Sequence, residues 1–339
     1  MTEGAFGPSG SKVRVEHHAD DGSAVATIGN SELDIHPLAL GGNTLGWTAD
    51  ETASFEILDA FMAAGGNFVD TADSYSAFVP GNSGGESETI LGNWKAARGI
   101  GSEMMVATKV AHHPDFRGLA PENVAAAADA SLKRLQSDHI DLYFAHSDDP
   151  ETPLDETVAA FDALVRSGKV RYVGLSNYSP ARVAEWLAIA DEGGYARPVS
   201  LQPHYNLVHR AEYEQEYAPL VAEHDLGVLP YYGLAAGFLT GKYRTSEDLD
   251  AGVRGRMASQ YFSEAGLTVI DALAEIATAH AVEIPTVALS WLSQRPGIVA
   301  PIASASRIEQ LPALLDSTRL VLTDLETDRL TSLSNAVEA

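Results

Sequence analysis

Four ionisable side chains stand just beyond short apolar runs. Asp70 follows the run 68–69 with Tyr75 five residues on, Lys109 follows 104–107, and His146 follows 140–144. As a group they suit reduction of a carbonyl, which needs hydride from one side and a proton delivered to the developing oxyanion. A tyrosine has an unperturbed pKa of about 10, so at neutral pH it is a poor acid without help. A lysine ammonium about 4 Å away, at an effective dielectric near 20, favours the phenolate by ~4 kcal/mol, or roughly three pKa units. Lys109 is therefore expected to lower the pKa of Tyr75. Desolvation would strip the proton from Lys109, so a carboxylate such as Asp70 is needed to keep it charged. His146 is expected to orient the carbonyl by a hydrogen bond and to share the proton work. The later runs also carry polar groups: Ser176-Asn177 after the fifth, Gln202 after the sixth, Tyr231 within the seventh and Ser304 after the eighth.

The elements that would position these groups are short. Apolar runs at 38–40, 68–69, 104–107, 140–144, 172–175, 199–201, 228–231 and 298–302 lack polar alternation and read as strands buried on both faces. Helical patterns separate them. Thr152-Pro153-Leu154-Asp155 and Ser179-Pro180 pair a cap with a proline at the helix start, and Ser306-Arg307-Ile308-Glu309 reads as a capping box. Eight strand–helix alternations point to an α/β fold, a single-domain (β/α)8 TIM barrel over residues 33–339, with its chemistry at the C-terminal strand ends. Residues 1–32 read as a loose or peripheral lead, and their His17–His18 pair as surface residues. No glycine cluster, the stretch 41–46 included, matches the G-x-G-x-x-G of an open-sheet dinucleotide fold.

Composition narrows the classes further. The 339 residues carry a formal charge of −25, from 22 Lys+Arg against 47 Asp+Glu, so the basic face that a nucleic-acid partner requires is missing. Without cysteine, thiolate metal sites and cysteine nucleophiles are excluded. No apolar run reaches the roughly 18 residues of a membrane span, and the start lacks a secretory pattern, so a cytoplasmic protein without a membrane partner is expected. An anionic ligand must then be held by a few local cations and helix N-termini against the global field.

From about residue 33 to its end the chain resembles the aldo-keto reductases, NAD(P)H-dependent oxidoreductases on a (β/α)8 barrel. The likeness rests on Gly66-Asn67-Phe68-Val69-Asp70-Thr71-Ala72-Asp73-Ser74-Tyr75, Gly85-Glu86-Ser87-Glu88, Ala107-Thr108-Lys109 and the run from His146 to Pro153. Gly168-Lys169-Val170-Arg171-Tyr172-Val173-Gly174-Leu175-Ser176-Asn177-Tyr178, Gln202-Pro203-His204-Tyr205-Asn206-Leu207 and Leu239-Thr240-Gly241-Lys242-Tyr243 follow in order. The resemblance implies Tyr75 as proton donor in a tetrad with Asp70, Lys109 and His146. It implies Ser176, Asn177 and Gln202 as holders of a nicotinamide carboxamide, and Tyr231 as the stacking ring, with Leu234 nearby. Lys242 and Arg254 would meet the pyrophosphate. Ser304, Ser306, Arg307 and Gln310 would grip the adenosine end, where Arg307 favours the 2′-phosphate of NADPH (NADP+), with NADH as the alternative. Substrates would be small carbonyls or alcohols, and no metal is called for. The sequence sets neither the physiological substrate, the direction, nor the oligomeric state.

The chain also departs from the common family pattern. Tyr232-Gly233 replaces Ser-Pro, Ala313-Leu314 replaces Glu-Asn, Ser304 replaces a frequent glycine, and Ala145 stands where leucine is usual. A long segment from Ser76 to Gly84 adds an apolar tip beside Tyr75, so Phe78, Val79 and Trp47 are expected to line the substrate mouth. Two other readings use the same fold: an NADP-binding regulatory subunit of potassium-channel β type, and a metal-dependent hydrolase built on Asp70, His112, His113, His146 and His204. The second lacks the H-x-H pair such sites begin with, since Gly41-Gly42 stands there.

Overall fold

The computed structural model describes residues 15–17, 24–250 and 253–337. Each of the eight apolar runs contains or adjoins a strand: β1 Ala39–Gly41, β2 Phe68–Asp70, β3 Met105–Val110, β4 Ile140–Ala145, β5 Val170–Ser176, β6 Pro198–Gln202, β7 Gly227–Val228 and β8 Ile302–Ala303. They pair in parallel in the order 7-6-5-4-3-2-1-8. The Val299 amide donates to the Val228 carbonyl at 2.9 Å and the Ile302 amide to the Pro230 carbonyl at 3.0 Å, which closes the sheet into a (β/α)8 barrel. Strands β3 to β5 outrun their apolar stretches, whereas β7 and β8 shrink to two residues each. The cause is Pro230 after β7 and Pro301 before β8, neither of which has an amide hydrogen to give the ladder.

Helices fill the outer layer: α1 Glu51–Ala63, α2 Glu86–Arg98, α3 Pro121–Leu135, α4 Leu154–Arg166 and α5 Pro180–Gly193 each follow their strand. Beyond β6 lies α6 Ala218–His224. Beyond β7 come α7 Val253–Ala258, α8 Glu264–His280 and α9 Ile284–Ser293, and beyond β8 come α10 Leu311–Asp316 and α11 Asp324–Ser334. Ser179 caps α5 as its sequence predicts, accepting from the Arg182 amide. Thr152 does not cap α4: its hydroxyl donates to Asp149 at 2.8 Å, and that competing bond takes it away from the helix start. The box near 306 is closed by Gln310 rather than Glu309. Its side-chain oxygen accepts from the Ser306 and Arg307 amides, because the tight turn Ile308–Gln310 brings residue 310 over them.

Two hydrophobic clusters follow from the alternation of strand side chains. Residues facing outward pack on the helices in a large cluster that includes Val69, Val106, Tyr143 and Leu175. Residues facing inward, among them Phe68, Ala107, Leu142, Phe144 and Leu229, form a second cluster along the barrel axis. Gly174 of β5 belongs to the crowded interior, for a Cβ there would sit 2.3 Å from the Phe144 ring. The inner cluster also holds Ala26, Ile28, Leu33 and Ile35, from a hairpin in which Ala24–Thr27 pairs antiparallel with Asp34–Ile35. Residues 24–32 of the expected lead are therefore part of the packed fold, plugging the N-terminal end of the barrel, because Ala26 and Ile28 are fully buried. His18 of the His17–His18 pair lies outside the described residues. Among the described residues no single helix is long and apolar enough to cross a membrane.

Candidate active site

Period-2 alternation carries the inner column of side chains into the site at the C-terminal strand ends. Two residues beyond inward Phe68 comes Asp70, two beyond Ala107 comes Lys109, and two beyond Phe144 comes His146. The same step leads from Gly174 to Ser176 and from Ser200 to Gln202. Tyr75 arrives on the turn after β2, held by the Tyr75 amide to the Ala72 carbonyl and by Ser76, whose φ of 67° turns the chain back.

The four expected residues come together. Lys109 is fully buried and Asp70 is 1% exposed. The ammonium donates to both Asp70 oxygens at 2.8 and 2.7 Å, to the Thr71 carbonyl at 2.7 Å and to the Tyr75 hydroxyl at 3.0 Å. Its three hydrogens are thus used on a shared carboxylate, a backbone oxygen and the phenol. The Tyr75 hydroxyl rests against Asp70 Oδ2 at 3.3 Å, long for an O–H donor. The Tyr75 and His146 rings meet edge to face, 6.2 Å between centroids.

The electrostatics differ from the sequence-based expectation at two residues. Tyr75 is not made more acidic: burial first, and then the Asp70 carboxylate, push its phenol well above the ordinary tyrosine value. The pull of the ammonium is offset because Lys109 and Asp70 form a neutral pair. Burial lowers Lys109 while Asp70 raises it, and the carboxylate at 2.7 Å keeps it charged. Burial, Lys109 and His112 hold His146 far below the usual histidine value, so its imidazole is neutral at pH 7. A neutral ring can offer a hydrogen bond but cannot be an imidazolium proton source, and its expected share of the proton work narrows to orientation.

Ser176, Asn177, Gln202 and Tyr231 form a continuous ring of contacts beside the tetrad. Gln202 donates to Asp70 Oδ1 at 2.8 Å, the Ser176 hydroxyl donates to the Gln202 carbonyl at 2.8 Å, and Asn177 donates to the His146 carbonyl at 2.8 Å. The Tyr231 hydroxyl donates to Asn177 Oδ1 at 3.0 Å. Asn177, Gln202 and Tyr231 also line an open cavity of about 380 Å³. No tetrad side chain lines it, and the Gln202 and Asn177 bonds join the two.

Other expected residues are placed less decisively. Exposed Lys242 lies 4.8 Å from the Tyr243 ring. The Arg254 guanidinium sits 5.2 Å over the Trp47 ring, and Trp47 packs edge to face with Phe78 at 5.0 Å. Trp47 and Phe78 are thus brought together, with Arg254 as an unexpected third member, while Val79 is half-buried in the same turn. Leu234 is half-buried in the loop after β7. Ser304 donates to Asn43 at 2.6 Å, Ser306 meets Thr48 at 2.8 Å, Gln310 closes the turn, and Arg307 is exposed. Of the cations Lys109, Lys242, Arg254 and Arg307, Lys109 is sealed inside and paired with Asp70.

Some features of the site escape the sequence. His112 presents its ring to His146 at 4.8 Å. It belongs to a small hairpin, His112–His113 with Phe116–Arg117, entered through Ala111 at φ 130°. Asp73 is fully buried with neither oxygen hydrogen-bonded, and burial and Glu88 push its carboxyl up to about 8. Nine described non-glycine residues have positive φ. Gln136, Asp225 and Ala281 simply end helices, whereas Ser76, Ala111, Asn177, Tyr232, Ala235 and Ala236 all lie in loops at the mouth. Backbone strain of this kind gathers where side chains must be held in set positions.

Comparison with known proteins agrees with this architecture. The profile of the Aldo/keto reductase family matches residues 37–335. The chain is 33% identical over 300 residues to the uncharacterized oxidoreductase YrpG of Bacillus subtilis, covering 84% of this chain and 87% of that one. It is 30% identical over 333 residues to norsolorinic acid reductase B of Aspergillus parasiticus, covering 91% and 82%. A probable voltage-gated potassium channel subunit beta of Oryza sativa subsp. japonica is 30% identical over 297 residues, covering 84% and 88%.

Proposed function

The chain belongs to the aldo/keto reductase family, and from that premise we propose that it reduces aldehydes or ketones to alcohols, reversibly, with NADPH as cofactor and Tyr75 as proton donor. The observation that carries this reading is the buried Lys109 ammonium bonded at once to Asp70 and, at 3.0 Å, to the Tyr75 hydroxyl. The substrate is a small carbonyl or alcohol, and the setting cytoplasmic, with neither nucleic acid nor membrane as partner.

The residues present fit a nicotinamide dinucleotide. Asn177, Gln202 and Tyr231 pair amide groups with a ring along one cavity, which suits a carboxamide on an aromatic ring. Ser176 would hold the carboxamide with them, and Leu234 would pack nearby. Lys242 and Arg254 would meet the pyrophosphate, and Ser304, Ser306, Arg307 and Gln310 the adenosine end. When bound, the cofactor supplies the hydride.

The chain's own residues then manage the proton. His146, neutral and with Nδ1 buried without a partner, turns Nε2 to the carbonyl oxygen and orients it. A phenol with a raised pKa keeps its proton until an oxyanion develops, which is what a donor for reduction must do. Exchanging its 3.3 Å contact with Asp70 for that oxyanion sacrifices little. As the proton leaves, Lys109 stabilises the phenolate by the hydrogen bond already in place. Asp70 maintains the ammonium in its charged form, and Trp47 and Phe78 shield the mouth from water.

A steady-state assay of NADPH and NADH against a panel of aldehydes, ketones and alcohols tests the reading. NADPH-dependent carbonyl reduction is the expected outcome. Tight cofactor binding without turnover of any substrate would favour a cofactor-sensing subunit of potassium-channel β type instead.

A further inference from the structure

The ring that is read above as the nicotinamide platform does not stand alone. One face of Tyr231 is covered by His204, with centroids 5.3 Å apart and planes 18° from parallel. His209 stacks on His204 in turn, at 3.8 Å and 17°. Backbone register sets this column. A parallel bridge joins His204 to Tyr231, supported by the Tyr231 amide donating to the Pro203 carbonyl at 3.0 Å. Asn206 and His209 exchange two 3.1 Å backbone bonds across the turn formed by Leu207 and Val208, which folds the second imidazole back over the first. Beyond it, Glu212 lies 3.6 Å from His209 Nε2.

The edge of His204 is fixed as well. Its Nε2 lies 2.9 Å from the Tyr261 hydroxyl and 3.4 Å from the Asn206 amide nitrogen. The Asn206 amide is oriented by donation to the Tyr232 carbonyl and by accepting from the Val208 amide. An amide nitrogen can only donate, so Nε2 is the acceptor and Tyr261 donates to it. Burial and His209 push His204 down to about 3, which keeps the ring neutral in the stack. Tyr261 is buried, in the turn Ser259–Tyr261 that directly follows α7, the helix bearing Arg254.

We propose that His204 is a positioning residue: it fixes the plane of Tyr231 and, through the Tyr261 hydroxyl, ties that platform to the segment carrying Arg254, so that the nicotinamide and pyrophosphate ends of the cofactor bind cooperatively. This rests on the reading of Tyr231 and Arg254 as cofactor contacts. A ring stacked on both faces and bonded at its edge cannot tilt independently, so movement of the Arg254 segment on a phosphate is felt at the nicotinamide. His204 also lines the cavity beside Tyr231, whereas Tyr261 does not, so Tyr261→Phe cuts the link without altering the cavity wall.

The test is equilibrium binding of two probes, NADPH and 2′-phospho-ADP-ribose, which lacks the nicotinamide. Tyr261→Phe and His204→Phe each delete the same hydrogen bond while retaining a ring. Each should weaken NADPH binding about fivefold, and the double variant no further. Binding of 2′-phospho-ADP-ribose should stay within about twofold of wild type in all three, since only the link to the platform is lost. Equal weakening of both probes, additive losses in the double variant, or unchanged NADPH affinity would each overturn the proposal. Should His204→Phe fail to fold, the isosteric Tyr261→Phe decides alone by the same two-probe comparison. A wild-type protein that binds neither NADPH nor NADH would overturn the cofactor reading itself, and this proposal with it.

Discussion

The two ends of the proposed cofactor site are built in opposite ways. At the tetrad end most polar side chains are buried or half-buried and tied into one network: Lys109 to Asp70 and Tyr75, Gln202 to Asp70, and the more exposed Asn177 to the His146 carbonyl. At the adenosine end Arg307 and Gln310 are exposed, and Ser304 and Ser306 bond to the loop after β1 instead of to each other. The first region sits on the inward column of a barrel and inherits its rigidity. The second sits on a short turn and a six-residue helix. Chemistry is therefore preorganised, whereas discrimination between NADPH and NADH rests on a few solvated groups that the cofactor must recruit.

That contrast can be broken most severely at Lys109. Lys109→Met removes the hydrogen bond that receives the phenolate and leaves Asp70 buried without its cation. Turnover should fall by about 10²–10⁴-fold, measured as NADPH oxidation with a saturating carbonyl. Part of the damage should appear as lost stability, since stranding one member of a buried pair costs about 3–5 kcal/mol. Turnover within tenfold of wild type would mean that the buried pair does not support Tyr75.

A smaller effect is predicted at the exposed end. Arg307→Ala should weaken NADPH binding about tenfold and leave NADH unchanged, because only the 2′-phosphate needs the guanidinium. Equal loss for both cofactors would place Arg307 elsewhere on the dinucleotide.

The smallest effect sharpens the picture behind the tetrad. Asp73, facing Glu88, Arg134 and Lys109, has its folded-state pKa raised from 3.8 to about 8. The folded state therefore holds a proton that the unfolded chain has released. The stability this provides is fully present below about pH 4 and is lost as pH rises through about 8. Asp73→Asn carries no such proton, so its Tm relative to wild type should be about 5 °C higher at pH 8.5 than at pH 5. A pH-independent difference in thermal melts would contradict the assignment.

How far the sequence foretold these regions follows the same division. The eight runs, and the polar residues associated with all but the first, were legible because buried parallel strands are nearly uniform in hydrophobicity and a barrel puts chemistry at their C-terminal ends. The strand lengths at β7 and β8 were misjudged, since Pro230 and Pro301 remove ladder donors that apolar character alone does not reveal. His112 enters the sequence reading only as a possible metal ligand, and its place against His146 stays hidden because Ala111 at φ 130° breaks the alternation that exposes Asp70 and Lys109. The acidity of Tyr75 was misread because a single ammonium was weighed without the carboxylate that cancels it. Arg254 over Trp47 and the His204 column join segments far apart in the chain, and no local pattern announces such contacts.

Tyr75→Phe tests the central claim most directly, by single-turnover reduction of a carbonyl together with equilibrium binding of NADPH. The reduction rate should fall by at least about 10²-fold while the Kd for NADPH stays within about twofold, because only the proton donor is removed. Reduction at an undiminished rate would contradict Tyr75 as donor and, with it, the role assigned to the Lys109–Asp70 pair.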